Sequence, residues 1–249
     1  MSLKSRIAGG DTLLGTFLKT PHPHIVEVLG GSGLDCLCID AEHAPFDRRD
    51  LDACIMAAQL SGIPALVRTP SNAPEQILNA LDCGAAGVVV PHVRTASAAR
   101  EILASAHYGP GGRGYAGSSR AAGYGGKGMT DHQRDSAAKT VVVAQIEDVE
   151  ALDEIDQIAA IDGLDALFVG RIDLTVALGC ESPDEPRVIA AVEKIVAACV
   201  AVRRPVGMFL SRPADVAAWR AKGATLFLLG SDHGFVRSGA QALRASSGL

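Results

Sequence analysis

Eight short apolar runs punctuate the chain, at 12–18, 35–40, 65–68, 87–91, 140–147, 166–170, 205–210 and 224–230. The runs at 141–147 and 166–170 are too short and too rich in β-branched residues for a core helix and read as buried strands, and the other six are strand-like as well. Stretches of helical periodicity lie between them, at roughly 23–30, 47–61, 73–83, 95–106, 148–160, 186–203, 212–222 and 232–246. Their ends carry the expected punctuation. Asp47 opens one helix, Asp184-Glu185-Pro186 precedes another, and Gly62, Gly84 and Gly223 follow three more. Strands that alternate with helices lie parallel in one sheet. Eight such units in 249 residues predict a single α/β domain, a (β/α)8 TIM barrel. A doubly wound open sheet would use fewer strands and a Gly-rich first turn, and G-x-G-x-x-G is absent.

A barrel interior is packed with aliphatic side chains, so polar residues should gather where strands end at the C-terminal face. Four strands follow this rule. The second ends in Asp40-Ala41-Glu42-His43, the third in Arg68, the fifth in Gln145-Ile146-Glu147, and the sixth runs into Gly170-Arg171-Ile172-Asp173. Glu147 and Asp173 then meet at one edge of the sheet. Like charges there repel unless a cation lies between them, and hard oxygen ligands suit a hard divalent ion. Helix capping is the alternative for Asp173. With two protein ligands the shell stays open to water and substrate, which suits Mg2+ or Mn2+, with Co2+ a further option, over structural zinc.

Arg68 is either half of a structural Arg–Asp pair or a stabiliser of developing negative charge. Asp40 and His43, three apart, could pair so that the carboxylate orients the imidazole as a general base. Gln145 alternates with Glu147 and faces the same side. The amides around Gly170, Arg171, Ile172 and Asp173 could receive a carboxylate. His92, just past the fourth strand, is given no role.

One stretch breaks the rhythm. Residues 107–130 hold nine glycines and no apolar periodicity, and read as a functional loop after the fourth strand. Its Arg113 and Arg120 would either meet an anionic substrate or face solvent. Composition narrows the rest. A net charge of −5 gives no reason to expect nucleic acid or an anionic membrane. No apolar stretch approaches a membrane span, and no signal-peptide core follows the N-terminal Met-Ser-Leu-Lys-Ser-Arg, so a cytoplasmic location is expected. The six cysteines lack C-x-x-C spacing and read as small buried residues in a reducing compartment.

Six segments then carry a resemblance: GLDCLCIDAEHAPFD (33–47), PALVRTPSN (64–72), LDCGAAGVVVP (81–91), VAQIEDVEALD (143–153), LDALFVGRIDLTVALG (164–179) and GATLFLLGSDHGFVRSG (223–239). As a collinear set they resemble the HpcH/HpaI aldolase family, metal-dependent (class II) pyruvate aldolases with a barrel of the phosphoenolpyruvate/pyruvate type. The resemblance implies that Glu147 and Asp173 hold Mg2+ or Mn2+ and that Arg68 stabilises a pyruvate enolate. It implies that His43, oriented by Asp40, moves the proton, that Gln145 contacts pyruvate, and that the amides of Gly170 to Asp173 receive its carboxylate. Asp82 matches a family aspartate that reaches a site from a neighbouring subunit. The partners implied are a 2-keto acid, an aldehyde and other copies of the chain, in a hexamer (trimer of dimers) whose last helix, about 232–246, packs on another protomer.

The chain also departs from the family pattern. Arg171 stands where a proline commonly follows the glycine of the sixth strand, which would add charge near the carboxylate site. Residues 108–114 replace a Tyr-Pro-Pro-x-Gly-x-Arg-Gly start of the long loop, and both changes bear on the aldehyde partner. The activity implied is reversible cleavage of a 2-keto-3-deoxy or 4-hydroxy-2-keto acid to pyruvate and an aldehyde. The rivals are a Schiff-base aldolase using Lys19, a citrate lyase-like acyl-CoA lyase, and a silent barrel used for binding.

Overall fold

In the computed structural model, which describes residues 1–248, the apolar runs become β1 (Leu13–Leu18), β2 (Cys36–Asp40), β3 (Ala65–Arg68), β4 (Gly87–Val90), β5 (Val141–Ile146), β6 (Ala166–Val169), β7 (Val206–Leu210) and β8 (Leu226–Ser231). Each pairs in parallel with the next, and β8 returns to β1, so the sheet is a closed (β/α)8 barrel without a free edge. Alternation along each strand divides the apolar residues between two cores. Leu13, Phe17, Cys36, Cys38, Leu66, Val89, Val143, Phe168 and Leu228 fill the interior. Leu37, Ile39, Val67, Val88, Val142, Ala144, Leu167 and Val169 face outward against the helices. Gly87 has to be glycine because a Cβ there would strike the Val141 carbonyl on the next strand.

The helices are α1 (Leu3–Ala8), α2 (Pro23–Gly30), α3 (Arg48–Leu60), α4 (Pro74–Asp82), α5 (Ala96–Ala106), α6 (Met129–Lys139), α7 (Ile155–Ala159), α8 (Arg171–Ala177), α9 (Pro186–Ala201), α10 (Val216–Ala221) and α11 (Asp232–Ser246). Among the described residues, no helix is long and apolar enough to cross a membrane. Two helices escape the sequence pattern. The short α1 plugs the N-terminal end of the barrel by joining Leu3 and Ile7 to the inner core. Lys4 fixes it there, donating to the Thr140 carbonyl at 2.8 Å and pairing with Asp165 at 2.7 Å. On α6 only His132 is buried, so there is no apolar stripe to read. The helix expected at 148–160 is broken into a 3-10 turn (Val149–Leu152) followed by α7.

Residues 107–128 follow α5, the helix expected at 95–106, and lead into α6 ahead of β5. Both loop arginines are tied down. Arg113 pairs with Asp82 beneath the Tyr108 ring, 4.8 Å from its guanidinium. Arg120 grips Asp52 through Nε and Nη2 at 2.9 and 2.8 Å. Both are engaged by carboxylates of their own chain, and neither stands free in solvent.

All six cysteines are free thiols, and all but Cys180 are buried. Burial pushes the thiols of Cys36 and Cys199 up to about 12 and that of Cys54 up to about 11. Thiolate is therefore scarce at pH 8 and alkylation is slow. Native protein at that pH should label with Ellman's reagent at Cys180 alone, and Cys180→Ser should remove the reaction. Rapid labelling of two or more thiols would contradict this packing.

Candidate metal centre at the barrel mouth

The C-terminal ends of the strands open into a cleft of about 420 Å³. Phe17, Phe168 and Phe209 form its apolar walls, and Lys19, His43, Arg68, Gln145 and Asp173 supply its polar groups. Register explains the first polar pair. Asp40 on β2 sits opposite Arg68 on β3. Arg68 donates from Nε and Nη2 to Asp40 Oδ1 at 3.0 and 2.8 Å, while Lys19 Nζ lies 3.0 Å from Oδ2. The guanidinium also lies 4.6 Å from the centre of the Phe17 ring. Burial raises the Asp40 carboxyl, but the Arg68 charge and the hydrogen bonds from the His43 amide, Lys19 and Arg68 outweigh it and hold it below the usual carboxylate range.

That pairing corrects the reading of Asp40 as the group that orients the His43 ring. Asp40 accepts only the backbone N–H of His43, at 3.1 Å, because the charge-assisted pair with Arg68 takes its oxygen. The imidazole is more than half exposed and lies 3.8 Å from Glu42. It does line the cleft.

The second group forms around Glu147, which is 2% exposed. Gln145, two residues back and on the same side, donates to Oε2, and the His92 amide donates to Oε1 at 2.9 Å. His92 reaches that position in a left-handed conformation, φ 55°. Glu42 closes the group, with Oε2 3.3 Å from Arg68 Nε and Oε1 3.6 Å from His92 Nε2. Glu42, His92 and Glu147 each bring one ligand-type atom within 4.8 Å of the others. Burial and the Glu147 charge raise the Glu42 carboxyl against the pull of Arg68. Burial opposes protonation of His92, but its hydrogen bond to Asp148 and the charges of Glu147, Asp148 and Glu42 win and raise it.

The site fits a divalent cation. Gln145 Oε1 is buried without a hydrogen-bond partner, and Glu42 Oε2, equally without a hydrogen bond, has only the ion pair with Arg68 at 3.3 Å. Such atoms are costly unless something positive or protic meets them. Gly170 belongs to the same arrangement, since a Cβ there would collide with the Glu147 carboxylate.

The other expected site residues fall in different places. Asp173 lies in the first turn of α8 and lines the cleft, and the helix has no side-chain cap. It stands outside the Glu42–His92–Glu147 cluster. Ile172 is half exposed on the same wall. Arg171 lines the cleft as well, and its guanidinium is engaged by the 180–185 loop. Its Nη2 donates to the Pro183 carbonyl at 2.8 Å and pairs with Asp184 at 3.0 Å, with the guanidinium over Trp219, so its charge is spent on the 180–185 loop. Asp82 ends α4, paired with Arg113, and within one chain does not line the cleft. Neither does any residue of 107–130, among the described residues. Glu42 and His92 went unassigned in the sequence. Glu42 lies in the turn that follows β2, where strand alternation does not place a side chain.

Fold and site together define a (β/α)8 barrel whose C-terminal strand ends carry an arginine-bearing cleft and a cluster of Glu42, His92 and Glu147. Residues 13–238 match the model of the HpcH/HpaI aldolase/citrate lyase family, and the chain belongs to that family. It is 36% identical over 242 residues to the 5-keto-4-deoxy-D-glucarate aldolase of Klebsiella pneumoniae, covering 96% of this chain and 94% of that one. It is 35% identical over 233 residues to a 2-dehydro-3,6-dideoxy-6-sulfogluconate aldolase of Pseudomonas putida, covering 92% and 90%. A crystal structure of an HpcH/HpaI aldolase/citrate lyase family protein from Burkholderia cenocepacia superposes with a TM-score of 0.92 at 33% identity, covering 98% of each chain.

Removing the charge of Asp40 leaves Arg68 and Lys19 without their buried counter-ion, a loss of about 3 kcal/mol or more. Asp40→Asn should lower the urea unfolding free energy by that amount. A change below about 1 kcal/mol would mean that the pair is structurally idle.

Proposed function

We propose that this chain is a divalent metal-dependent aldolase that reversibly cleaves a 2-keto-3-deoxy sugar acid, a 4-hydroxy-2-keto acid, to pyruvate and an aldehyde. The observation that carries this reading is the meeting of buried Glu147 and Glu42 with the immobilised Arg68 at one cleft. Glu147, with Asp173 across the cleft and Glu42 beside it, would hold Mg2+ or Mn2+, with Co2+ as a substitute. A bound ion of this kind supplies Lewis acidity at the keto group next to the breaking bond.

The chain's own groups do the rest. Cleavage of C3–C4 leaves its electron pair on the pyruvate half as an enolate. Arg68, locked by Asp40 and the Phe17 ring, presents its remaining N–H groups to the oxygen that gains charge, with little reorganisation needed as the bond breaks. His43, at the cleft rim, takes the proton from the C4 hydroxyl as the aldehyde forms, C3 of the enolate takes up a proton from solvent water after the aldehyde leaves to give pyruvate, and the condensation direction reverses both transfers. Gln145 contacts the pyruvate half, and the amides from Gly170 to Asp173 take its carboxylate. The aromatic walls keep water from the reacting carbons. The relatives' names denote keto-deoxy sugar acids, which supports the substrate class.

The active assembly is proposed to be a homo-oligomer, a hexamer, in which Asp82 and residues 107–130 serve a neighbour's cleft. Support comes from α11, where Phe235, Val236 and Leu243 are exposed at 46%, 65% and 71%.

One observation favours a second reading. Lys19 lines the cleft, as a Schiff-base lysine would. Its ammonium is engaged as a counter-charge by buried Asp40, which argues against that role. Borohydride with pyruvate should leave no adduct at Lys19, and a trapped adduct would replace the metal mechanism.

EDTA should abolish pyruvate release from a 2-keto-3-deoxy sugar acid, and Mg2+ or Mn2+ should restore it. Glu147→Ala and Asp173→Ala should lose turnover with unchanged circular dichroism. Full activity after chelation would remove the metal from the account. Arg68→Lys should lose about a hundredfold in kcat, since a point charge does not reproduce the planar fork, and a wild-type rate would exclude Arg68 from catalysis.

A further inference from the structure

We propose that the cavity between the 107–128 segment and α6 binds a tetrahedral oxyanion, either inorganic phosphate or the phosphate group of a small metabolite. This site is separate from the cleft at the mouth and rests on no part of the aldolase reading.

The fold sets its position. The cavity, of about 170 Å³, is lined by Gly84 and Ala85 just before β4 and by Lys139 and Thr140 just before β5. It therefore lies towards the N-terminal ends of the strands, and none of its described lining residues belongs to the cleft. Its charge is unbalanced. Arg113, Arg120, Lys127 and Lys139 line it against a single carboxylate, Asp135. Asp82 and Asp52, which pair with the two arginines, are not part of the wall. Asp135 is shared between Lys127 at 3.1 Å and Lys139 at 4.0 Å, so one cation remains uncompensated. Such a pocket favours an anion.

Arg113 carries the inference furthest. Its side chain is 2% exposed, and its Nη2 donates to Asp82, yet Nε is buried without a hydrogen bond. The Tyr108 ring lies 4.8 Å from the guanidinium carbon and meets its flat face. It leaves the N–H donors, which lie in the guanidinium plane, without an acceptor. A buried guanidinium with unspent donors is costly unless something accepts from it, and its planar fork suits phosphate oxygens. A surface link of Lys127 and Lys139 to Asp135 supplies no such acceptor.

Neutral groups add to the wall. The Ser136 and Thr140 hydroxyls, 3.2 Å apart, need only one proton for the bond between them, and the other is left for a ligand. His132, 3% exposed, lines the same cavity with Nε2 3.0 Å from the Tyr108 hydroxyl. Burial first, then the Arg113 and Lys127 charges, hold its imidazole below the usual range, as a positive field would. The ligand would also join two parts of the chain. Arg113 and Lys127 belong to the long segment, whereas Ser136 and Lys139 stand on α6, where His132 is the buried residue. An anion held by both sides fixes a helix that has little apolar anchorage of its own.

The test is calorimetric titration of the full chain with inorganic phosphate and, separately, with glycerol 3-phosphate, with hydrogen exchange as the structural readout. One phosphate should bind per chain, and exchange should slow across 113–139. Arg113→Met should weaken binding about tenfold or more, the effect of losing a hydrogen bond to a charged group. Lys127→Met combined with Ser136→Ala changes only partly exposed side chains and should weaken binding severalfold in a folded protein, which keeps the test decisive if Arg113→Met unfolds. Arg68→Lys, at the mouth, should bind phosphate as the wild type does. Tighter binding of inorganic phosphate assigns the site to the free ion, and tighter binding of glycerol 3-phosphate assigns it to a phosphomonoester. No binding of either at millimolar concentration would overturn the inference, as would binding that survives the cavity variants or is lost in Arg68→Lys.

Discussion

Glu42 and Glu147 bring carboxylate oxygens within 4.8 Å at the level where the barrel wall ends, both nearly shielded from water. At an effective dielectric near 20, two unit charges about 4 Å apart repel by about 4 kcal/mol, a large share of a domain's net stability. The polar architecture of the mouth is a response to that repulsion. Arg68 lies between Asp40 and Glu42, Lys19 backs Asp40, and His92 stands among Glu42, Glu147 and Asp148. Even so, Gln145 Oε1 remains buried without a partner, and Glu42 Oε2 has an ion pair with Arg68 but no hydrogen bond. A site with acids brought together and acceptors unspent is arranged for a cation, and the reactivity proposed for this chain follows from that.

The scaffold makes the arrangement possible because it is rigid at both ends. At the far end α1 seals the interior, with Lys4 bridging to Asp165, whose carboxylate also caps the Val142 amide. At the mouth, Asp232 accepts the amides of Lys19 and Thr20 at 2.8 and 2.9 Å and so holds the segment that carries Lys19. Arg68 can then act as a fixed dipole source, its geometry set by the Asp40↔Arg68 register between two core strands and not by a flexible loop.

All eight strands were legible in the sequence because each is a short apolar run, most of it buried, and that signal depends on local composition alone. Glu147, Arg68, Gln145 and Asp173 were legible too, since strand ends in a barrel converge whatever the helices do. Pairings between strands were harder. The Asp40–His43 spacing suggested a side-chain pair, but Asp40 spends its carboxylate on an arginine 28 positions away, which no local spacing reveals. His92 was invisible for a similar reason, because a left-handed turn at a non-glycine residue has no periodic signature. The arginines of 107–130 find Asp82 and Asp52 across long sequence separations, and α6 presents too little apolar surface to announce itself.

The central claim is that one divalent cation is held by the acids at the mouth. Anomalous diffraction from crystals soaked with Mn2+ and pyruvate tests it most directly. The account predicts a single strong manganese peak within bonding distance of the Glu147 carboxylate, inside the cleft bounded by Glu42 and Asp173. A map with no peak there, and with Glu147 still engaged only by Gln145 and the His92 amide, would contradict it.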